Sequence, residues 1–308
     1  MRGDKKMNNE IPSKAVSHKK TIISGIAILV VFAVLFVLLL SMFNQENQAY
    51  ATEFMSEDAS QPGYILVTAK SFSVDPIKGD VSTRLQFSPE GDLANEDGTL
   101  AKSMTLYVNN STGKSQIPFT KDEVMNPADV VIDIYGNVGS YPFDSHDGVL
   151  FMSLIAEEKD ADGVIVSSES IPFVVDYTSS LAGYKVNPTI GEESTTGYAE
   201  IYLNITRAAT ALTFSIFIMV LEWLLALSAV AATFVWIRGR KIEVGMFGWM
   251  GALMFALVPL RNAMPAVPPV GVFSDIISFF WAEIIVAVCL VISVGAWVKR
   301  GSAVGNPK

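Results

Sequence analysis

The chain has 308 residues, of which 50% are hydrophobic, and its formal net charge is −9. Residues 44–207 hold 25 acidic and 9 basic side chains, whereas the rest of the chain holds 6 acidic and 13 basic ones. An acidic segment of this size argues against nucleic acid as a partner, because it would repel phosphate. The lone cysteine excludes an internal disulfide, and two histidines are too few for a histidine-rich metal centre. The acid-rich turns Glu90–Asp97 and Glu157–Asp162 could hold calcium, but without EF-hand spacing we interpret them as solvated turns and expect no metal and no cofactor.

The N-terminal part of the chain predicts a membrane anchor. Residues 1–21 form a basic tail, and residues 22–43 carry no charge over a length that can cross roughly 30 Å of hydrocarbon. Because basic residues stay on the cytoplasmic side, we expect this tail to be cytoplasmic and the helix to be retained. The alternative is a signal peptide that is cleaved after Ala51. Residues 44–62 have the composition of a linker.

Residues 63–207 predict a β domain outside the cytoplasm. Apolar and polar residues alternate here with a period of two, and glycine, proline, aspartate and asparagine separate the alternating runs. Many short strands of this kind predict an antiparallel, immunoglobulin-like β-sandwich. The sequence leaves open whether Asn110 or Asn204, which begin formal glycosylation sequons, is modified. The clearest predicted strands are Tyr64–Val74, Ser103–Val108, Val130–Ile134, Val149–Ile155 and Ala199–Ile205.

The C-terminal third predicts three more membrane helices. Two basic clusters, Arg238 to Lys241 and Lys299 with Arg300, fall on the side of the membrane that already holds the basic N-terminus. The whole chain therefore predicts a multi-pass α+β protein of the cell membrane, with four crossings and both termini in the cytoplasm. The predicted segments are helices over 208–237, 246–261 and 276–298, a cytoplasmic turn over 238–245, an outer proline-rich loop over 262–275 and a cytoplasmic tail over 299–308.

Three charged residues fall inside the predicted membrane helices. Glu222, Arg261 and Glu283 each lie 15 residues from the cytoplasmic end of their helix. At about 1.5 Å per residue, all three would lie roughly 22 Å above the inner boundary, which predicts a buried cluster of these charges. Two interpretations stay open: the cluster locks three helices together, or it is an ion or proton site whose occupancy changes helix packing.

Two stretches near the C-terminus and one motif in the β domain carry a resemblance. Residues 260–271 (LRNAMPAVPPVG) are followed by 279–283 (FFWAE), while residues 141–144 read YPFD and Arg207 precedes the second helix. In these features the chain resembles an actinobacterial membrane-protein family known only as domain of unknown function 4436. The resemblance extends from about Tyr64 onward and implies this topology, but it supplies no activity.

A more distant similarity is to the pentameric ligand-gated ion channels. Those proteins join an extracellular β-sandwich to a helical bundle, carry a Phe-Pro-x-Asp motif at the junction, and open their first helix with an arginine. The similarity implies that eight residues couple the domain to the bundle. The segment 246–260 departs from a pore helix, because it contains no serine, threonine or charge and includes Trp249. The implied coupling residues are Tyr141, Pro142, Phe143, Asp144, Arg207, Pro265, Pro268 and Gly271.

The sequence shows no arrangement of residues that is typical of an active site, so we expect no enzymatic activity. We expect instead a cell-envelope protein whose β domain binds or senses an envelope component and is coupled to a helical bundle. Its expected partners are membrane lipid and either another membrane protein or further copies of itself. The alternatives are a channel-like receptor of the pentameric class and an accessory subunit of a transporter or envelope enzyme complex.

Overall fold

The computed structural model describes residues 36–44, 62–159, 165–195, 197–240 and 243–301, together with a few residues between 26 and 34. The chain divides into two compact units, residues 1–45 and 46–308. In the first unit the described residues are helical, and residues 36–44 are the described part of helix α1. The predicted helix over 22–43 is therefore described only in part. The basic tail 1–21, Ala51 and nearly all of the predicted linker lie outside the described residues.

The second unit begins with ten strands. All five strands predicted from alternating hydrophobicity are present, on β1, β3, β5, β6 and β10. The strands are β1 (Gly63–Asp75), β2 (Asp80–Gly91), β3 (Met104–Val108), β4 (Gln116–Phe119), β5 (Ala128–Gly136), β6 (Ser145–Lys159), β7 (Ile165–Ser170), β8 (Phe173–Ser179), β9 (Tyr184–Ile190) and β10 (Tyr198–Arg207).

The strands form one large mixed sheet. Its main path runs in the order β4-β3-β6-β5-β2-β1-β8, while β7 and β10 also pair with β6, and β9 pairs with β10. The prediction of a purely antiparallel sheet is wrong for β1 and β8, which pair in parallel. The physical reason lies at Pro172: proline has no N–H to continue the ladder, so pairing of β7 with β6 stops at Ser170 and the chain runs on beside β1.

One hydrophobic core fills the β domain. Along β1 the residues Ile65, Val67 and Ala69 are fully buried while the residues between them are partly exposed, as a period of two requires. Distant strands contribute to the same core through Leu150 on β6 and Ile201 on β10. The core therefore links strands from both halves of the sheet path.

Three further helices follow the sheet. Helix α2 (Ala209–Ile237) begins after a single residue beyond β10, and α3 is Gly245–Asn262. Asp275–Phe279 forms one π-helical turn that leads directly into α4 (Phe280–Gly301). Alanines pack α2 closely against α4, and α3 adds Met250, Leu253 and Leu257 to the same cluster.

Two helical stretches of the described chain, Ala209–Ile237 and Asp275–Lys299, are long and apolar enough to cross a membrane. Large apolar side chains such as Phe217, Leu224 and Trp281 stand exposed on them. Helix α3 is 18 residues long and contains Pro259 and Arg261. The crossings predicted for 22–43 and 246–261 remain predictions.

The buried core of the β domain predicts a large effect of truncation. Leu150→Ala should lower the free energy of unfolding by about 2–5 kcal/mol, because it removes a fully buried side chain and leaves a cavity. Thermal unfolding of the purified protein in detergent measures the change. The control Val124→Ala alters a side chain that is 67% exposed and should leave the melting temperature nearly unchanged; equal effects of the two substitutions would contradict this core.

Candidate functional site

The candidate site lies where the sheet joins the helices, and its centre is a buried ion pair. The Arg207 guanidinium donates from Nε to Oδ1 of Asp144 and from Nη2 to Oδ2, both over 2.9 Å. The Asp144 side chain is 0% exposed and the Arg207 side chain 5%. Arg207 is the last residue of β10, and Asp144 lies just before β6. A two-pronged pair of this kind fixes the orientation of both groups as well as their distance.

Three more side chains complete the surroundings of this pair. The Nε2–H of His146 donates to Oδ2 of Asp144 over 3.1 Å. The guanidinium carbon lies 4.7 Å from the ring centre of Tyr141 and 4.3 Å from that of Tyr184, so two aromatic rings flank the charge. Gly136 makes room for the imidazole, because a Cβ there would lie 2.3 Å from Nδ1 of His146.

The electrostatics of the site favour a charged pair. Burial by itself would raise the pKa of the Asp144 carboxyl, but hydrogen bonds from Arg207 and His146 outweigh burial and hold that pKa below its ordinary value of 3.8. Burial raises the pKa of the Tyr184 hydroxyl to about 12, so that hydroxyl stays neutral beside the pair. Asp144 is therefore ionised, and its negative charge balances the positive charge of Arg207.

Tyr141 connects this pair to the helices. Its hydroxyl lies 2.7 Å from Oγ of Ser215 on α2 and donates over 3.0 Å to the carbonyl of Pro265 in the loop before α4. Its carbonyl accepts a hydrogen bond from the N–H of Ser274 over 3.2 Å. The ring is fully buried in a small apolar cluster that also contains Ile218, Met219, Met264 and Val272. One β-domain residue thus contacts α2 and both ends of the α3–α4 loop.

A second buried ion pair shapes that loop. Arg261, at the end of α3, donates from Nε and Nη2 to the two carboxylate oxygens of Asp275, each over 2.9 Å. The same Nη2 donates to the carbonyl of Pro269, and the N–H of Gly271 donates to Asp275 over 2.7 Å. These bonds hold the proline-rich loop across the top of α3 and α4.

The structure brings Glu222 close enough to Arg261 and Glu283 for their charges to interact, as the predicted cluster requires, but it gives Arg261 a different ion-pair partner. Arg261 is paired with Asp275, which the sequence analysis did not select. The carboxylate of Glu222 meets Oγ of Ser278 at 2.6 Å, and Glu283 is half-buried, with no hydrogen bond or ion pair to any described residue. Depth along each helix placed the three charges near one another but did not identify Asp275, because depth says nothing about the direction in which a side chain leaves the helix.

Glu222 has unusual surroundings for a carboxyl group. It is fully buried, and its Oε1 has no hydrogen-bond partner among the described residues. The Ser278 hydroxyl also lies 2.9 Å from the carbonyl of Met219, so its single hydrogen faces two acceptors. A proton on the Glu222 carboxyl, donated to Ser278, lets Ser278 donate to Met219. The arrangement can therefore hold a proton.

The eight predicted coupling residues do not all take part equally. Arg207 pairs with Asp144 and lies over the ring of Tyr141, and the hydroxyl of Tyr141 donates to Pro265. Pro142 is buried after a cis peptide bond, and Phe143 is exposed with its ring 6.1 Å from that of Phe273. Pro268 lines a cavity of about 220 Å³ beside Arg207, and Gly271 contacts Asp275 instead of the β domain.

Sequence reasoning missed His146, Tyr184, Ser215 and Asp275. Of these, Asp275 carried a usable signal, since it is an acidic residue at the start of the predicted apolar helix over 276–298 and only 14 positions after Arg261. Tyr184 and Ser215 carried none, because only the fold brings them to Arg207 and Tyr141. The two sequon asparagines are both already hydrogen-bonded: Asn204 donates to Asp147, and Asn110 accepts from the N–H of Val131.

Comparison with protein families divides the chain at this site. A family model described as a domain of unknown function, DUF4436, matches residues 55–206. A second domain of unknown function, DUF8686, matches residues 207–300. No curated protein matches the chain. The expected resemblance to DUF4436 is thereby confirmed, but residues 260–271 and 279–283, which helped to suggest it, fall within the second domain.

Breaking the buried pair should be severe. Arg207→Ala leaves the Asp144 charge buried without its main partner, and we expect a loss of about 3–5 kcal/mol in the free energy of unfolding. Arg207→Lys should also destabilise, because an ammonium cannot reproduce the two-pronged pair or lie flat between two rings. The matched control is Arg84→Ala, which breaks a two-pronged pair with Asp129 whose side chains are both 52% exposed. Its effect should be much smaller; similar losses would contradict the energetic role of burial.

The lowered pKa of Asp144 predicts an acid-sensitive junction. A carboxyl whose pKa is depressed by folding contributes stability above its ordinary pKa, and this contribution is lost as the pH falls through the folded value. The melting temperature should therefore fall as the pH drops below about 4. In Asp144→Asn, stability at neutral pH should be lower and this acid-dependent fall should be shallower. The exposed Asp133→Asn serves as the control and should keep the wild-type profile.

Proposed function

Because the chain joins a DUF4436 domain to a DUF8686 domain at Arg207, we propose that it is a non-enzymatic membrane protein of the cell envelope with an extracytoplasmic β domain. The β domain binds or senses an envelope component or a protein partner. The bundle of α2, α3 and α4 receives that signal. The single observation that carries this proposal is the buried Asp144–Arg207 pair, which fixes the last residue of β10, two positions before the first residue of α2.

Continuity of the chain and of the hydrogen bonds supports the coupling. Only Ala208 separates β10 from α2, so a displacement of β10 moves the start of the helix. Tyr141 adds a second connection through Ser215 and Pro265. Since both connections are buried, water does not compete for them and they resist independent motion of the two parts.

Apolar surface and charge support the membrane topology that we propose. In this topology four helices cross the membrane, both termini lie in the cytoplasm and exposed apolar side chains on α2 and α4 contact lipid. The acidic β domain lies outside the cytoplasm, because the positive-inside rule places the basic segments on either side of it in the cytoplasm. Its two sheet halves pack face to face as an immunoglobulin-like sandwich, a proposal supported by the single core that Ile65, Leu150 and Ile201 share.

Cysteine labelling on intact cells tests the topology. Cys289 is the only cysteine and is buried, so Cys289→Ala gives a background without thiols. In that background Thr112→Cys, in the β domain, should react with a membrane-impermeant maleimide, whereas Lys299→Cys should react only after lysis. Protection of Thr112→Cys in intact cells, or labelling of Lys299→Cys there, contradicts the proposed orientation.

Hydrogen exchange tests the coupling. Tyr141→Phe removes the hydroxyl that reaches Ser215 and Pro265, so amides of the loop 263–274 should exchange faster although the change is made in the β domain. Tyr177→Phe is the matched control: its hydroxyl bonds Ser71 inside the β core and contacts no helix. If the loop exchanges equally in both variants, or is unchanged in Tyr141→Phe, the junction does not couple the two parts.

A channel-like receptor of the pentameric class is the second candidate. The observation that favours it is the contact of the YPFD motif with Arg207 and with the loop after α3, which are the positions that the similarity implied. Its test is the mass of the protein in mild detergent and the current through bilayers that contain it. A pentamer whose current is lost in Asp144→Asn would establish this candidate, and a monomer or dimer would exclude it.

A further inference from the structure

A groove crosses the outward face of the sheet over β5, β6, β10 and β9. Its cavity has a volume of about 690 Å³, which is within the range of small-ligand sites. Three aromatic side chains line the groove and stand exposed to solvent: Tyr135 at 75%, Tyr202 at 45% and Phe151 at 36%. Single exposed aromatic residues are ordinary, but three in one concave surface indicate a binding site.

The strand register arranges the groove in rows. Tyr135 on β5 is opposite Asp147 on β6, Asp147 is opposite Asn204 on β10, and Asn204 is opposite Asn187 on β9. One row across four strands therefore presents an aromatic ring, a carboxylate and two amides. Tyr202 lies in the next row and lines the same groove, and its hydroxyl donates to Oε2 of Glu200 over 3.2 Å.

Much of the hydrogen-bonding capacity in the groove is unused. Within the described residues, the side chains of Asp133, Asn187 and Thr189 make no hydrogen bond. Asn204 donates to Oδ1 of Asp147 over 2.7 Å, which leaves Oδ2 of that carboxylate free to accept. The groove thus offers several acceptors and donors beside flat aromatic faces.

Charge and shape select the class of ligand. The lining contains the carboxylates of Asp133 and Asp147 but no lysine or arginine, so an anionic ligand would be repelled. Sugar rings present C–H groups to aromatic faces and hydroxyl pairs to carboxylates and amides. We propose that the groove binds a neutral, hydroxyl-rich glycan, which stacks on Tyr135 and Tyr202 and donates hydroxyl hydrogens to Asp133 and Asp147.

The groove continues far enough for more than one sugar. A second cavity of about 260 Å³ shares Asn109 and Phe151 with the first and adds Tyr107 and Tyr198. Both of these tyrosines are opposite Ser153 on β6. From Asp147 to Ser153 the strand extends roughly 20 Å, and aromatic residues occur along this whole length. The ligand is therefore an extended oligosaccharide.

This inference rests on the proposed function, since a surface glycan reaches the groove only if the β domain lies outside the cell. Its test uses the purified full-length chain in detergent, where topology has no influence. Isothermal titration with cellohexaose, mannohexaose, galactohexaose and chitohexaose should give binding for at least one. The anionic hexagalacturonate should not bind. Tyr135→Ala combined with Tyr202→Ala should weaken the affinity at least about tenfold.

The matched control is Phe72→Ala, which removes another exposed aromatic ring of the β domain that lies outside the groove. It should leave the affinity at the wild-type value. The proposal is overturned if none of the four neutral hexasaccharides binds, if hexagalacturonate binds as well as they do, or if the double variant keeps full affinity. It is also overturned if Tyr135→Ala combined with Tyr202→Ala leaves the affinity for the hexasaccharides unchanged and instead converts a dimer of this chain into a monomer, as measured by its mass in detergent. Since cell-surface labelling tests the topology separately, failure here leaves the proposed orientation unaffected.

Discussion

The structure depends on a charge that is buried where a sheet turns into a helix. Moving a carboxylate and a guanidinium out of water costs several kcal/mol for each ion, and a pair repays this only when its geometry is good and its remaining atoms are bonded. At Asp144 and Arg207 the two-pronged contact, the His146 hydrogen bond and two flanking rings meet most of that condition, and only Nη1 of Arg207 has no hydrogen-bond partner among the described residues. The same requirement favours a rigid junction, because separating the two charges leaves each of them buried without its main partner.

Rigidity at this point has consequences for both parts of the chain. Arg207 ends β10 and α2 begins two residues later, so the ion pair fixes the angle at which the helix leaves the sheet. The Arg261–Asp275 pair does the same for the loop between α3 and α4, and Tyr141 fits between that loop and α2. One buried ion pair therefore fixes the end of β10 and the other fixes the α3–α4 loop, and each uses an arginine whose planar fork favours one partner orientation.

The hydrophobic pattern predicted the secondary-structure elements well, but it did not predict which strands pair or which side chains form ion pairs. The strands at β1, β3, β5, β6 and β10 and the apolar helix α2 follow from local periodicity, which each segment carries in its own residues. The parallel pairing of β1 with β8 does not, since it depends on which edge is free after Pro172. The partner of Arg261 was misjudged for a similar reason: the π-helical turn at Asp275–Phe279 changes the direction of the side chains that precede α4, and no count of residues reveals it.

The groove and the junction occupy the same two strands. On β6 the junction residue His146 is followed directly by Asp147, which faces the groove on the opposite side of the sheet. On β10 the groove residue Asn204 lies three positions before Arg207, roughly 10 Å along the strand. Neighbouring residues of a strand share one backbone, so a ligand that pulls Asp147 and Asn204 acts on the segments that carry His146 and Arg207. The proposed binding on the sheet face would thereby be linked to the position of α2 through paired strands alone, without a change of fold.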